Sequence, residues 1–353
     1  MKDAQAADRA RGALCGLTAA ALFGVSAPIA TCLLGAVPAV LLAGLLYAGA
    51  AIGLSLYRLW APRSAEASLL RADLWKLGLV ILTGGVIAPI LMLLGLQRVG
   101  AMTGSLLLNL EAPFTMLLAL ALFGEHLGRN GIAAAVLIVA GAALLKVEPG
   151  ELGADTRGVL LLAAACLCWA IDNNLTQRLS LRDPFAVVRA KALGAGIANT
   201  LLGLVVTQGE LPPLPYLAGA LLLGSLSYGV SVLLDAYALR LVGAAREAAY
   251  FATAPFVGAL VAWLLLSEPL QWHDVLAMAV MSVGVVYLLR ERHSHVHVHE
   301  PLEHEHLHVH DDHHQHAHPP GQLGHEPHSH KHHHALLTHE HPHVSDAHHR
   351  HRH

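Results

Sequence analysis

From residue 12 to residue 290 the chain is a series of long apolar runs separated by short polar joints. Ten runs can be drawn, roughly 12–34, 38–57, 76–96, 100–123, 127–146, 158–180, 184–207, 216–239, 243–266 and 270–290. Each is close to the ~20 apolar residues that a helix needs to cross the hydrocarbon of a bilayer. In hydrocarbon the backbone must satisfy its own hydrogen bonds, and a helix does so within one segment. The pattern therefore predicts an all-α membrane protein of ten transmembrane helices. Most joints run 3–12 residues, and one longer stretch lies at 58–75. This leaves no room for a soluble catalytic domain. The first run is too long for a signal-peptide core and has an internal counterpart at 158–180, so it is expected to stay as a helix.

The same arrangement is written twice. Residues 98–127 carry Arg98, Val99, Gly100 and Ala101, then Pro113, then Gly124, Glu125 and Leu127. Residues 240–270 carry Arg240, Val242, Gly243 and Ala244, then Pro255, then Ser267, Glu268 and Leu270. The spacing is about 143 residues, with the prolines one residue out of step. Arg11-Gly12 and Phe23-Gly24 likewise answer Arg157-Gly158 and Trp169-Ala170, at an offset of 146. Duplicated sets of apolar helices are a common ground plan of membrane transporters. The expected units are a five-helix repeat at 12–146, a second at 158–290 and a tail at 291–353. Five is an odd number, so the second repeat is expected to lie inverted relative to the first.

Basic residues set the expected orientation. With the N-terminus inside, inner loops and ends carry thirteen Lys or Arg, and outer loops carry three, Arg98, Lys146 and Arg157. Both ends are therefore expected in the cytoplasm, with the helices in the inner (plasma) membrane.

Composition adds one contrast. The chain is 55% apolar and 13% charged, yet residues 293–353 hold 25 of its 27 His. That tail also has eight Asp or Glu, three Lys or Arg and few aliphatics, so it is expected to be disordered. His-x-His units recur at His293, His295, His297 and His299 and again at His304, His306, His308 and His310, followed by His313, His314, His316 and His318. In an extended chain, side chains at i and i+2 share a face, and neutral imidazole suits Zn, Ni or Co. The tail is expected to bind divalent metal, with affinity falling below about pH 6.5 as imidazoles protonate. An inert or pH-responsive tail is the alternative. Its longest His run is three residues, His332 to His334, unlike a cloning tag. The apolar part has only His126 and His273, both at segment ends, so a dedicated metal channel is not expected. Cys15, Cys32, Cys166 and Cys168 all lie in apolar runs and read as small fillers.

A charge at the centre of a membrane helix costs about 2.5–3.5 kcal/mol on insertion scales, so each one asks for a reason. Glu111 lies in the middle of its run, between Asn109 and Pro113. The proline removes a donor and crowds the carbonyl four residues back, Asn109's, so a freed carbonyl and a carboxylate fall close together. Such a break can hold substrate or a coupling proton; a protonated, purely structural Glu is the alternative. Asp172, Asn173 and Asn174 cover about 200° of their helix, which calls for a polar interior. Lys191 sits at a similar depth on the next helix, so an Asp172–Lys191 ion pair is expected, as a structural pair, a substrate site or a gate. Asp235, with Tyr228 and Ser231 on one face, and Arg246 with Glu247 at the start of the ninth run, read as structural or gating groups. Pro255 is the second copy's proline. Glu125 and Glu268 lie at helix ends, where capping and snorkelling explain them.

Three stretches now carry a resemblance: RVGAMTGSLLLNLEAPFTMLLALALFGEHL, RLVGAAREAAYFATAPFVGALVAWLLLSEPL and CWAIDNNLTQRLSLRDP. They resemble EamA-type transporters of the drug/metabolite transporter superfamily over residues 12–290. The resemblance implies a secondary carrier, often an exporter, of amino acids, metabolites or drugs. The expectation is a secondary active transporter, as an exporter, of a small metabolite, amino acid, drug, metal or metal chelate by alternating access, with a metal-binding cytoplasmic tail. No cofactor is expected for transport itself. The expected partners are the lipid bilayer, a small-molecule substrate and divalent metal; nucleic acid is not expected, and a homodimer is left open. No nucleophile–base pair or phosphate loop argues for an enzyme. A membrane-anchored metal buffer or sensor with little transport is the competing reading. Ser267 stands where the first copy has Gly124, and the tail has no part in the resemblance.

Overall fold

The computed structural model describes residues 2–60, 69–123, 128–145, 156–179, 182–242, 244–290, 293–299, 302–308, 328–334 and 337–343. Up to residue 290 the described residues are helical apart from short joints. The helices are α1 (Lys2–Gly24), α2 (Ser26–Leu34), α3 (Ala39–Trp60), α4 (Leu74–Val80), α5 (Ala88–Val99), α6 (Ala101–Leu107), α7 (Glu111–Phe123) and α8 (Arg129–Leu144). There follow α9 (Thr156–Leu179), α10 (Pro184–Val206), α11 (Leu214–Leu223), α12 (Ser231–Val242), α13 (Ala244–Phe251), α14 (Ala254–Leu266) and α15 (Trp272–Leu289). Among the described residues, eight helical stretches are long and apolar enough to cross a membrane. Arg129–Leu144 and Ala254–Leu266 are apolar but shorter, and α13 precedes the latter across Ala252 and Thr253.

The expected runs coincide with helices, but several are interrupted. A π-helical stretch, Ile81–Ile87, joins α4 to α5, and another, Gly224–Val230, joins α11 to α12. They lie 143 residues apart at both ends, the spacing of the sequence repeat. Wider π turns are rare and occur mostly inside α-helices near functional sites. The two prolines also differ from the expectation of a break in mid-helix. A 3-10 turn, Leu108–Leu110, separates α6 from α7, and Pro113 lies in the first turn of α7. Pro255 lies in the first turn of α14, after the Ala252–Thr253 turn. Proline is tolerated there because the missing N–H has no helical partner in a first turn.

The helices pair reciprocally. α3 packs along α10, and α8 along α15. α1 packs on α12 as α9 packs on α5, and α3 meets the second π stretch as α10 meets the first. The α8–α15 crossing is close because Gly141 faces Met281 and Gly284 faces Ile138. One apolar core runs through most helices, centred on residues such as Leu42, Leu46, Met92, Leu96, Leu106 and Leu162. Leu59, Val205, Leu211 and Leu264 point outward, as lipid-facing residues should, and Trp60, Trp75 and Trp272 are exposed at helix ends.

Parts of the tail are among the described residues. Four seven-residue strands, β1 (His293–His299), β2 (Leu302–His308), β3 (His328–His334) and β4 (Leu337–His343), form two antiparallel ladders, β1 with β4 and β2 with β3. The alternation that suggested His-x-His chelation has period two, which is also the period of a strand. The expected ligands His310, His313, His314, His316 and His318 lie outside the described residues.

Candidate functional site

The interior polar groups meet where α7, α9 and α10 converge. Successive residues of an α-helix point about 100° apart, and the three on α9 take three different partners. Asp172 forms an ion pair with Lys191 of α10, with side chains only 4% and 12% exposed. Thr176 donates a further hydrogen bond to Asp172 at 3.2 Å. Asn173 donates to Glu111 at 2.6 Å. Asn174 donates to the carbonyls of Thr115, at 3.1 Å, and Ala170, at 2.8 Å. Glu111 opens α7 rather than standing in mid-helix. The 3-10 turn before it supplies the change of pitch.

The first π stretch forms the floor of this cluster. The Gly84 carbonyl accepts hydrogen bonds from Tyr47 Oη at 2.8 Å and Trp169 Nε1 at 3.1 Å. The Gly85 carbonyl accepts from Asn199 Nδ2 at 2.9 Å. Three helices thus donate side-chain hydrogen bonds to two successive carbonyls. A Cβ on Gly84 would run into the Asp172 carboxylate, and one on Gly85 would meet Ala195 and approach the Lys191 stem. The glycine doublet is therefore the surface on which the ion pair rests. Gly84→Ala is expected to displace Asp172 and to cost about 1–3 kcal/mol of stability, as overpacking does. Thermal unfolding in detergent reads this, and a wild-type midpoint would show the site to be slack.

Aromatic rings line the neighbouring wall. Phe23 stands edge-on to Trp169, with centroids 6.0 Å apart, and also touches Tyr228 and Phe251. Tyr47 meets Tyr228 at 5.3 Å. Phe23 and Trp169 are counterparts in the sequence repeat, so the duplicated positions meet in space.

Other expected residues make different contacts. Asn109 is buried and directs its amide to the sulfur of Met281 on α15, at 3.8 Å, with its carbonyl oxygen unpartnered. Asp235 of α12 shares a side-chain hydrogen bond with Glu247 of α13 and lies within electrostatic reach of Lys191, Asp172 and Glu111, while its Oδ1 is buried without a hydrogen-bond partner. Ser231, expected on its face, instead donates to the Ala19 carbonyl at 2.8 Å. The backbone of Arg246 lies in α13, while its side chain lies outside the described residues. Pro113 and Pro255 shape helix starts and carry no polar contact. Among the described residues, no three His, Cys, Asp or Glu converge as a metal site.

Sequence reasoning did not single out Tyr47, Gly84, Gly85 or Asn199, and it used Phe23 and Trp169 only as markers of the repeat. The Gly84-Gly85 doublet and a lone Asn inside an apolar run were the available signals. Glu268, expected to cap or snorkel at its helix end, caps a helix of the other half. Its two oxygens accept the backbone N–H groups of Ala101, at 2.9 Å, and Met102, at 2.8 Å. A residue after α14 thereby caps a helix 167 positions earlier, and Gly100 makes the approach with φ +81°, a conformation that favours glycine. Glu268→Ala is expected to cost about 0.5–2 kcal/mol, the range for lost N-caps, and to speed hydrogen exchange at Ala101 and Met102. Unchanged exchange there would deny the cap a stabilising role. Its counterpart Glu125 lies outside the described residues.

The model of the EamA-like transporter family matches residues 10–147 and 156–290. A protein of Methanothermobacter thermautotrophicus described as an uncharacterized transporter is 31% identical over 289 residues, covering 77% of this chain and 84% of its own length. A probable terminal-alkyne amino-acid exporter of Streptantibioticus cattleyicolor is 30% identical over 198 residues, covering 56% of this chain and 66% of its own. A solved crystal structure, 20% identical, shares the fold with a TM-score of 0.61 over 78% of this chain and 95% of that one. With its apolar spans, its buried charges and these relatives, the chain belongs to the EamA-like transporter family and is an integral, multi-pass membrane transporter.

Proposed function

We propose that this protein is a secondary active exporter working by alternating access between two inverted five-helix repeats. In this reading α8 and the α13–α14 pair complete a set of ten membrane-crossing segments. Support comes from the reciprocal helix pairing and from the two π stretches at one fixed spacing. Both termini lie in the cytoplasm of the inner membrane, as the thirteen-to-three distribution of Lys and Arg favours. The cargo is a small metabolite, amino acid, drug or metal chelate. A relative described as a probable terminal-alkyne amino-acid exporter favours an amino acid.

The observation that carries the reading is the charged layer inside the bundle. Asp172 pairs with Lys191, and Glu111 accepts from Asn173 beside it, in a setting where an unpaired charge is costly. Asp172–Lys191 closes on itself when the site is empty and can open toward a substrate that carries its own charges. Glu111 is the proposed carrier of the coupling proton. The tail binds Zn, Ni or Co on the cytoplasmic side and collects or senses metal.

Metabolite and metal profiling tests this reading. A deletion strain would be compared with cells carrying the full chain or a chain lacking residues 293–353. Both proteins are expected to lower the same intracellular solute, with only the full chain responding to added metal. If removing the tail abolishes the whole phenotype, the chain is a membrane-anchored metal buffer.

A further inference from the structure

The two tail ladders share one antiparallel register, and that register sets histidine against histidine. In the first ladder His293 lies opposite His343, His295 opposite His341 and His297 opposite His339. In the second, His304 lies opposite His332, His306 opposite His330 and His308 opposite His328. Within each ladder the three pairs fall at every second position, so they share one face. The positions between them are different in kind: Ser294 with Pro342, Val296 with Glu340, Glu305 with Lys331 and Leu307 with Ser329. The histidine strip takes odd numbers in the first ladder and even numbers in the second, so the ladders carry two strips rather than one.

Directly opposed residues of an antiparallel pair have Cβ atoms about 4.5–5.5 Å apart. An imidazole nitrogen binds Zn at about 2.0–2.1 Å. Two opposed histidines are therefore spaced to share one ion, and two successive pairs offer four nitrogens, the number a closed tetrahedral site uses. We propose that each ladder is a separate binding strip for divalent transition metal of the Zn, Ni and Co type, with ligands drawn from both of its strands. This rests on the reading of the tail as metal-binding and adds to it which histidines act together. It brings in His328, His330, His332, His339, His341 and His343, on strands far along the chain from the His-x-His units of 293–308. Metal binding then requires residues 328–343 to fold back on residues 293–308. Binding and tail folding become one linked equilibrium, as in small metal-dependent domains.

The test counts tightly bound Zn ions on the purified full chain after dialysis. One block variant carries His293→Ala, His295→Ala and His297→Ala, and another carries His339→Ala, His341→Ala and His343→Ala. A third carries His328→Ala, His330→Ala and His332→Ala. The first and second blocks remove the two sides of one strip. Each should lose the same ions, and combining them should lose no more. The first and third blocks touch different strips, and their losses should add. Additive losses for the first and second blocks would overturn the cross-strand assignment and leave a tail that binds metal without this register. A full chain that retains no more Zn than one lacking residues 293–353 would reject both the strips and the metal-binding tail.

Discussion

Glu111→Gln is expected to abolish gradient-driven uptake into inside-out vesicles, leaving only the rate seen without a gradient. Glutamine keeps the shape and a carbonyl oxygen that can accept from Asn173, now held at 2.6 Å by Glu111, so the fold should be preserved. What it loses is the ability to take up and release a proton. Glu111 opens α7 just after a 3-10 turn. A proton carrier must hold a proton in one part of the cycle and release it in another, which an amide cannot do. The measurement is uptake of a labelled amino acid that the wild-type protein accepts, with and without an imposed pH gradient. Coupled uptake at the wild-type rate in Glu111→Gln would remove Glu111 from this role.

Lys191→Met should be the most destabilising single change at the site. Asp172 is 4% exposed, and the substitution leaves its carboxylate buried with only Thr176 and no counter-charge. Breaking a buried pair by removing one partner costs about 3–5 kcal/mol, whereas replacing both partners with neutral groups is often nearly neutral. The double variant Asp172→Asn with Lys191→Met should therefore recover most of the stability lost in the single one. Thermal unfolding of the purified proteins in detergent provides the comparison. Two substitutions whose losses simply add would show that the two groups do not act as a pair. Transport separates the remaining roles: a stable double variant that still transports would make the pair a structural element, and one that is stable and inactive would make it part of the substrate path or the gate.

Much of the site is legible in the residues alone because charge inside an apolar run is rare and expensive. Glu111, Asp172, Asn173 and Lys191 stand out for that reason, and the equal depth of Asp172 and Lys191 on neighbouring antiparallel helices points to their pairing. The partners that stay hidden are apolar or neutral. Gly84 and Gly85 look like ordinary packing glycines, and Tyr47 and Trp169 look like ordinary core aromatics. Their importance comes from a π turn, which depends on how α4 and α5 are pressed against α9 and α10 and has no periodicity of its own in the residues. Asn109 shows the opposite error. Its place two residues from Glu111 suggests a shared site, yet its side chain turns to Met281 on α15.

The sequence by itself determined that this chain lives in a membrane, roughly where its apolar segments lie, and that its two halves share one plan. Apolar run length and period are local properties, and the bilayer reads them directly. Only the tertiary structure decided that Glu111 meets Asn173, that both prolines start helices instead of bending them, that Glu268 caps a helix in the other half of the chain, and which tail histidines stand opposite one another. Those outcomes depend on how separate helices pack or on strand register, and no local pattern encodes them.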